Sequence, residues 1–158
     1  FHEGRRLIDA IGWTAILSQL LAALGYLFNL AGVGKLISSM VASIVPVDNV
    51  FLIVVAYCIG MAFFTMIMGN AFAAFAMITS AIGVPMLVAG HGANPAVIGP
   101  IAMLAGYCGT LMTPMAANFN IVPVALLEMK DTYGVIKAQI PVAIVMLTLN
   151  ILLMYYFL

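Results

Sequence analysis

The stretch "MGNAFAAFAMITS" (68–80) decides the fold. It sets Gly69 and Asn70 inside a long apolar run where a membrane helix would favour Leu and Val. A second stretch, "GTLMTPMAANFN" (109–120), repeats the interruption with Gly, Thr, Pro and Asn. In lipid every backbone N–H and C=O must find a partner inside the protein, so a broken helix persists where it lines a site or a wet cavity. Two such breaks in one short chain therefore point to a buried site assembled from helix ends.

The rest of the composition fixes the medium. Of 158 residues, 66% are hydrophobic and 6% charged, against roughly a quarter charged in a soluble domain. Between Asp48 and Glu128 no Asp, Glu, Lys or Arg occurs. A surface that apolar belongs in a bilayer. The formal net charge is zero and the five basic residues are scattered, which excludes a phosphate-tracking surface, and no nucleic-acid partner is expected. Cys58 and Cys108 read as small buried hydrophobes. "FHEGRRLIDAIGW" (1–13) does not read as a signal peptide, because Glu3 and Asp9 interrupt its basic start. The chain is expected to be a piece of a longer polypeptide.

Outward from the breaks, the chain divides as follows. Residues 1–49 supply a first transmembrane helix (7–30), with Trp13 and Tyr26 near its ends, and an interfacial connector. The connector holds "LISSMVASIV" (36–45), after which "PVDN" (46–49) turns the chain and Asp48 caps the next helix. Residues 50–89 form a helical hairpin with a polar tip at Gly69-Asn70. Residues 95–128 form a broken transmembrane helix, 129–138 a charged cytoplasmic loop and 139–158 the last transmembrane helix, with Pro141 in its first turn. Arg5, Arg6, Lys130 and Lys137 fall on one side of this topology and Lys35 on the other, which predicts a cytoplasmic start and an outside C-terminus. The "MGNA" turn carries no Lys or Arg. It reads as the tip of a re-entrant hairpin held in protein at membrane depth, although each arm has nearly the length of a full crossing.

The two breaks carry the candidate chemistry. Helix N-termini suit an anionic group, and released carbonyls suit a cation such as Na⁺. Asn70 and Asn118 offer donors and acceptors, and Thr65, Thr110 and Thr113 offer hydroxyls. Gly69 and Gly109 permit close backbone approach, and Pro114 stops one helix from running through. These eight residues are the expected substrate and ion site, with Na⁺ at Asn70, Thr110 and Thr113. No carboxylate lies near the expected midplane, which favours Na⁺ over H⁺. His91 and Asn94 read as loop residues, and Asn29 and Asn150 as packing or helix-end residues. No zinc-ligand spacing, nucleophile elbow, phosphate loop or dinucleotide fingerprint occurs. The segment lacks converging acid, base or metal ligands, so it is not read as an enzyme, and neither a cofactor nor a metal other than Na⁺ is expected.

The order helix, connector, polar-tipped hairpin, broken helix, final helix resembles the C-terminal half of the ion transporter superfamily. In that superfamily each inverted repeat carries a Ser-Asn-Thr-like hairpin tip and a Thr-Pro turn. Gly69-Asn70 stands at the tip, with Ala71 where a Thr would follow, and "GTLMTPMAANFN" resembles the broken-helix turn. More closely, "FTMIMGNAFAAFAMITSAIGVP" (64–85) and "HGANPAVIGPIAMLAGYCGTLMTPMAANFNIVPVALLEMKDTYGVIKAQIP" (91–141) are similar to a bacterial membrane family of unknown function. Its members are often labelled the larger subunit of a two-component 5-oxoproline transporter.

The resemblance implies an all-α integral membrane fold, the C-terminal half of an inverted-repeat transporter, in the bacterial inner (cell) membrane. It implies secondary active transport of a small organic anion, with 5-oxoproline as the labelled carboxylate substrate and Na⁺ coupling. The partners it implies are the lipid bilayer, the N-terminal half of the same protein, a second membrane subunit and a second copy in a homodimer. The competing expectation is an accessory membrane subunit that stabilises a partner permease without binding substrate.

Overall fold

The structure, a computed structural model, describes residues 31–44 and 49–158 together with isolated positions between Gly4 and Leu30. The first spanning helix, with Trp13, Asp9, Asn29, Arg5 and Arg6, lies largely outside the described residues, as does Asp48. Among the described residues every regular element is a helix.

Helix α1 (Val33–Ile44) follows a turn in which Gly32 takes a left-handed φ of 71°. It begins a few residues earlier than the connector expected from sequence. Val33, Ile37 and Val41, four residues apart, form one half-buried stripe against the core. The hydroxyls of Ser39 and Ser43 donate back to Leu36 O and Met40 O at 2.8 and 2.7 Å, so neither is left unpaired.

Helix α2 (Val50–Met68) is capped by Asn49, whose side chain accepts from Leu52 N at 3.3 Å. Asn49 therefore holds the capping place expected of Asp48. The amide can reach the first-turn N–H groups that start any helix unpaired. At its other end Gly69 adopts φ 66° and donates its N–H to Thr65 O at 2.7 Å. A side chain is strained in this left-handed conformation, and glycine closes the helix without that cost. Helix α3 (Ala71–His91) returns antiparallel to α2. From Thr79 to Val88 it winds more widely, in the i→i+5 pattern, with Pro85 inside. Proline lacks the N–H that regular winding needs there. Tyr57 of α2 is fully buried against this segment, and its hydroxyl shares a 2.7 Å hydrogen bond with Thr79 Oγ1. A Cβ at Gly83 would stand 2.8 Å from that hydroxyl, so glycine makes room for the ring.

Asn94 caps helix α4 (Pro95–Leu111), accepting from Ala96 N at 3.0 Å, with Pro95 at the first helical position. The chain breaks over 112–116 and resumes as helix α5 (Ala117–Leu126). Helix α6 (Gly134–Tyr156) starts five residues before the expected 139, so Pro141 lies in its interior rather than in its first turn.

Helix α4 occupies the centre, against α2, α3 and α6. The core runs from Ile53, Tyr57 and Met61 of α2 through Met77, Ile78 and Ile82 of α3 to Ile98, Ala102 and Ala105 of α4. Helix α6 contributes a narrow seam, Ile136, Ala143, Asn150 and Met154, and turns Val142, Val145, Leu149 and Leu152 outward. The seven-residue spacing of the first three keeps one edge against α4 along two turns at a time. Among the described residues three helices, Val50–Met68, Ala71–His91 and Gly134–Tyr156, are long and apolar enough to cross a membrane. Their outward Phe63, Ile67, Val84 and Leu153 match a hydrocarbon environment.

Candidate functional site

The hairpin tip and the α4–α5 break meet. Thr113, buried in the break, donates its hydroxyl to Met66 O in the last turn of α2 at 2.8 Å, and accepts from Met115 N at 3.2 Å. Gly69 lies so close to the Met115 backbone that a Cβ would overlap Met115 O and stand 2.6 Å from Met115 C. One turn deeper, Gly109 rests on the backbone of Ala62. A Cβ there would overlap Ala62 O and stand 3.0 Å from Ala62 C and Cα. These two glycines let a tip and a break touch backbone to backbone.

Beside this contact lies a cavity of about 270 Å³. Its walls are the tip (Gly69, Asn70), the first turn of α3 (Ala71, Phe72), the end of α4 (Tyr107, Thr110) and residues 115–119, from the break into the first turn of α5. Phe72 and Tyr107 meet edge to face, with ring centroids 6.1 Å apart. The starts of two helices thus face one space, and none of the residues lining it carries a formal charge. Asn70 caps α3, accepting from Phe72 N at 2.9 Å and Ala73 N at 3.3 Å, whereas α5 begins at Ala116 without a side-chain cap. Helix starts hold partial positive charge, and the first N–H groups of α5 have no side-chain cap.

A family model described as "Protein of unknown function (DUF979)" matches residues 1–158. The chain belongs to the DUF979 family. No curated protein and no solved structure matches it.

In this DUF979 member the eight residues expected from sequence divide in two. Gly69, Asn70, Thr110 and Asn118 line the cavity. The other four do not. Thr65 is buried and its hydroxyl donates to Met61 O at 2.8 Å, Gly109 forms the close crossing with Ala62, Thr113 bridges the two breaks, and Pro114 is exposed in the break. The three oxygens expected to hold Na⁺ are each engaged in hydrogen bonds within the chain. Asn70 Oδ1 already accepts two N–H groups, and Thr113 Oγ1 both donates and accepts. Thr110 donates to Tyr107 O at 2.7 Å and keeps acceptor capacity at the cavity. Among the described residues no cluster of three or more His, Cys, Asp or Glu could hold a metal ion.

Two features escaped the sequence reading. One is the aromatic wall of Phe72, Tyr107 and Phe119, which apolar composition hides among the other aromatic residues. The other is Asn120, fully buried, whose amide donates to Thr110 O at 2.8 Å and to Thr113 O at 2.5 Å. Asn118 and Asn120 stand two apart on α5 and therefore point to opposite faces. Which of them turns inward depends on how α5 docks, and "NFN" alone does not say. The packing reading holds for Asn150, which is buried and donates to Cys108 Sγ at 3.7 Å. Asn94 is a helix cap, and His91 ends α3 with Nδ1 2.8 Å from Met86 O.

Proposed function

We propose that this chain forms part of a secondary active transporter for a small organic anion, and that the cavity between the hairpin tip and the α4–α5 break is its half of the binding site. The observation that carries this reading is the convergence of two helix starts, at Ala71 and Ala117, on one largely apolar cavity that holds a few polar groups and no formal charge. Helix-start dipoles attract a carboxylate without the desolvation cost of a buried Lys or Arg. The cavity volume suits a ligand of a few heavy atoms to the size of a small cyclic carboxylate such as 5-oxoproline. Na⁺ coupling belongs to the same proposal and rests on the sequence, which has no carboxylate between Asp48 and Glu128 to carry a proton.

The re-entrant reading of the hairpin also gains support. Asn150 of α6 meets Cys108, and the adjacent Gly109 rests on Ala62 of α2. From Ala62 to the tip, α2 advances about 10 Å, whereas α6 runs back from Asn150 to its start by about 24 Å at about 1.5 Å per residue. The first turn of α6 ends at Lys137, which lies in solvent, so the bilayer edge lies about 9 Å beyond the tip, which supports a tip inside the membrane. A cytoplasmic α6 start and an outside end, as the Lys130 and Lys137 loop suggests, complete the proposed inner-membrane topology. An N-terminal half, a second subunit and a second copy would close the open side.

Uptake of labelled 5-oxoproline and related small carboxylates into proteoliposomes holding the complete protein tests this, with Na⁺ or choline outside. Na⁺-dependent uptake is expected, and Asn70→Ala and Thr113→Ala should abolish it while the protein still inserts. Normal uptake by both variants removes the site assignment. One observation favours the accessory-subunit reading: Asn70 and Thr113 already have structural partners. That reading predicts uptake by the partner permease alone and no ligand-dependent rise in the melting temperature of this protein.

A further inference from the structure

The α4–α5 break needs something to hold its shape. Helix α4 ends by releasing carbonyls that no further turn of the helix pairs, and α5 starts at Ala116 without a side-chain cap. One side chain of α5 ties it to the end of α4 and to the break itself. Asn120 lies early in α5, is fully buried, and donates its amide hydrogens to Thr110 O, in the last turn of α4, and Thr113 O, within the break. Thr113 in turn is bound to Met66 at the end of α2. A chain of hydrogen bonds therefore runs from α5 through the break to the hairpin tip. The acceptor half of the same amide has no hydrogen-bond partner. A buried acceptor left unpaired costs about 1–3 kcal/mol. An apolar residue of the same shape would avoid that cost, so what this position requires is the pair of N–H donors.

We propose that Asn120 is the positioning residue of the cavity: its two amide hydrogens fix the angle between α4 and α5, and so hold the start of α5 towards the space that Gly69 and Asn70 close from the other side. This deepens the proposed binding site and rests on that reading for its functional meaning. Asn120 is two residues from Asn118, faces away from the cavity and touches no ligand there. Its effect passes through Thr110, which lines the cavity, and through Thr113, which does not.

The test uses the complete protein in detergent, with Ala116→Cys as reporter. Ala116 is buried at the head of α5 and lines the cavity, so its thiol should react slowly with a water-soluble maleimide while the break is held. Each rate is divided by that of the Ala116→Cys parent at the same pH, which cancels the titration of the thiol. Adding Asn120→Leu removes both donors and should raise the rate about tenfold, the equivalent of losing about 1.4 kcal/mol of hydrogen bonding. Adding Asn120→Asp should give a pH-dependent result. Burial opposite two carbonyls favours the neutral acid, which can donate one hydrogen. Labelling should rise with pH, because a carboxylate repels both carbonyls, and lie nearest the parent at pH 5. Asn120→Gln keeps both N–H donors and should stay nearer the parent than Asn120→Leu. If Asn120→Leu fails to insert, the Asp and Gln variants carry the comparison. Rates equal to the parent in all variants, or equal acceleration in Leu and Asp at every pH, would overturn the proposal. No transported ligand enters this assay, so a failure of the transport reading leaves its outcome unchanged.

Discussion

The two breaks solve the same problem in different ways. At the hairpin tip, two adjacent residues suffice. Gly69 closes α2 in the left-handed conformation and Asn70 opens α3 with its side chain, each bonding within four residues of itself. At the α4–α5 break, five residues separate the helices, and the bonds that hold them come from a distance: Thr113 reaches Met66, and Asn120 reaches back to Thr110 and Thr113. The tip is a local turn that would form in many contexts. The break is a tertiary construction that exists because α2 packs on α4 and α5 folds back to bond the end of α4. A substitution at the tip should therefore act through backbone conformation, and one at the break through lost long-range bonds.

The largest effects should come where the two regions touch. Gly69→Ala puts a side chain in a left-handed conformation and drives its Cβ into the Met115 backbone, and Gly109→Ala drives one into Ala62. Neither obstacle is a flexible side-chain end, so each variant should lose at least about 3 kcal/mol, read as a large drop in melting temperature or failure to insert. A Gly69→Ala protein as stable as the wild type would mean that the tip and break do not meet. Thr113→Val, close in shape, removes a buried donor and an acceptor together and should cost about 1–3 kcal/mol in thermal unfolding. Asn70→Ala removes a helix cap and should cost about 1 kcal/mol, and Asn70→Asp should recover most of it because a carboxylate still accepts from Phe72 and Ala73. If Asn70→Ala proved more damaging to stability than Thr113→Val, the distinction between a local tip and a long-range break would be reversed. Tyr57→Phe, away from both, removes the hydrogen bond to Thr79 and should cost about 1 kcal/mol while leaving the reactivity of a cavity thiol unchanged.

The smallest effect belongs to the exposed loop before α6. Lys137 Nζ lies 2.8 Å from Asp131 Oδ2, with both side chains in solvent. That hydrogen bond, with a second from Tyr133 N, holds the Asp131 carboxyl below its ordinary range. A carboxyl with a depressed folded-state pKa stabilises above its unfolded value, and the contribution disappears as the pH falls through the folded value. Asp131→Asn should leave the melting temperature at pH 7 almost unchanged, because exposed pairs contribute little. Any difference from wild type should vanish on acidification.

Much of the helical order was legible in the sequence. The tip at Gly69-Asn70 follows from residue type, since glycine tolerates positive φ and asparagine caps. The spans 50–68 and 71–89 follow from unbroken apolar runs, and the structure extends the second only to His91. The start of α6 was less legible, because "GVIK" before Pro141 carries no clear stop or start signal. The cap of α2 was misplaced by one residue because Asp48 and Asn49 are equally able acceptors. Within the candidate site, Asn70, Thr110 and Asn118 could be singled out as polar groups in an apolar run. Thr65 and Thr113 share that property, yet they turn their hydroxyls onto backbone carbonyls away from the cavity.

By itself the sequence determined the medium, the helical class and the position of both interruptions, because charge content, apolar run length and glycine, proline and asparagine chemistry act locally. Tertiary structure alone decided which interruption faces which, which glycines permit backbone contact and which asparagine of "NFN" is buried. Those outcomes depend on the rotation of each helix about its axis. A chain apolar on nearly every face leaves that rotation unspecified until side chains from α2, α3 and α6 compete for the interior space around α4.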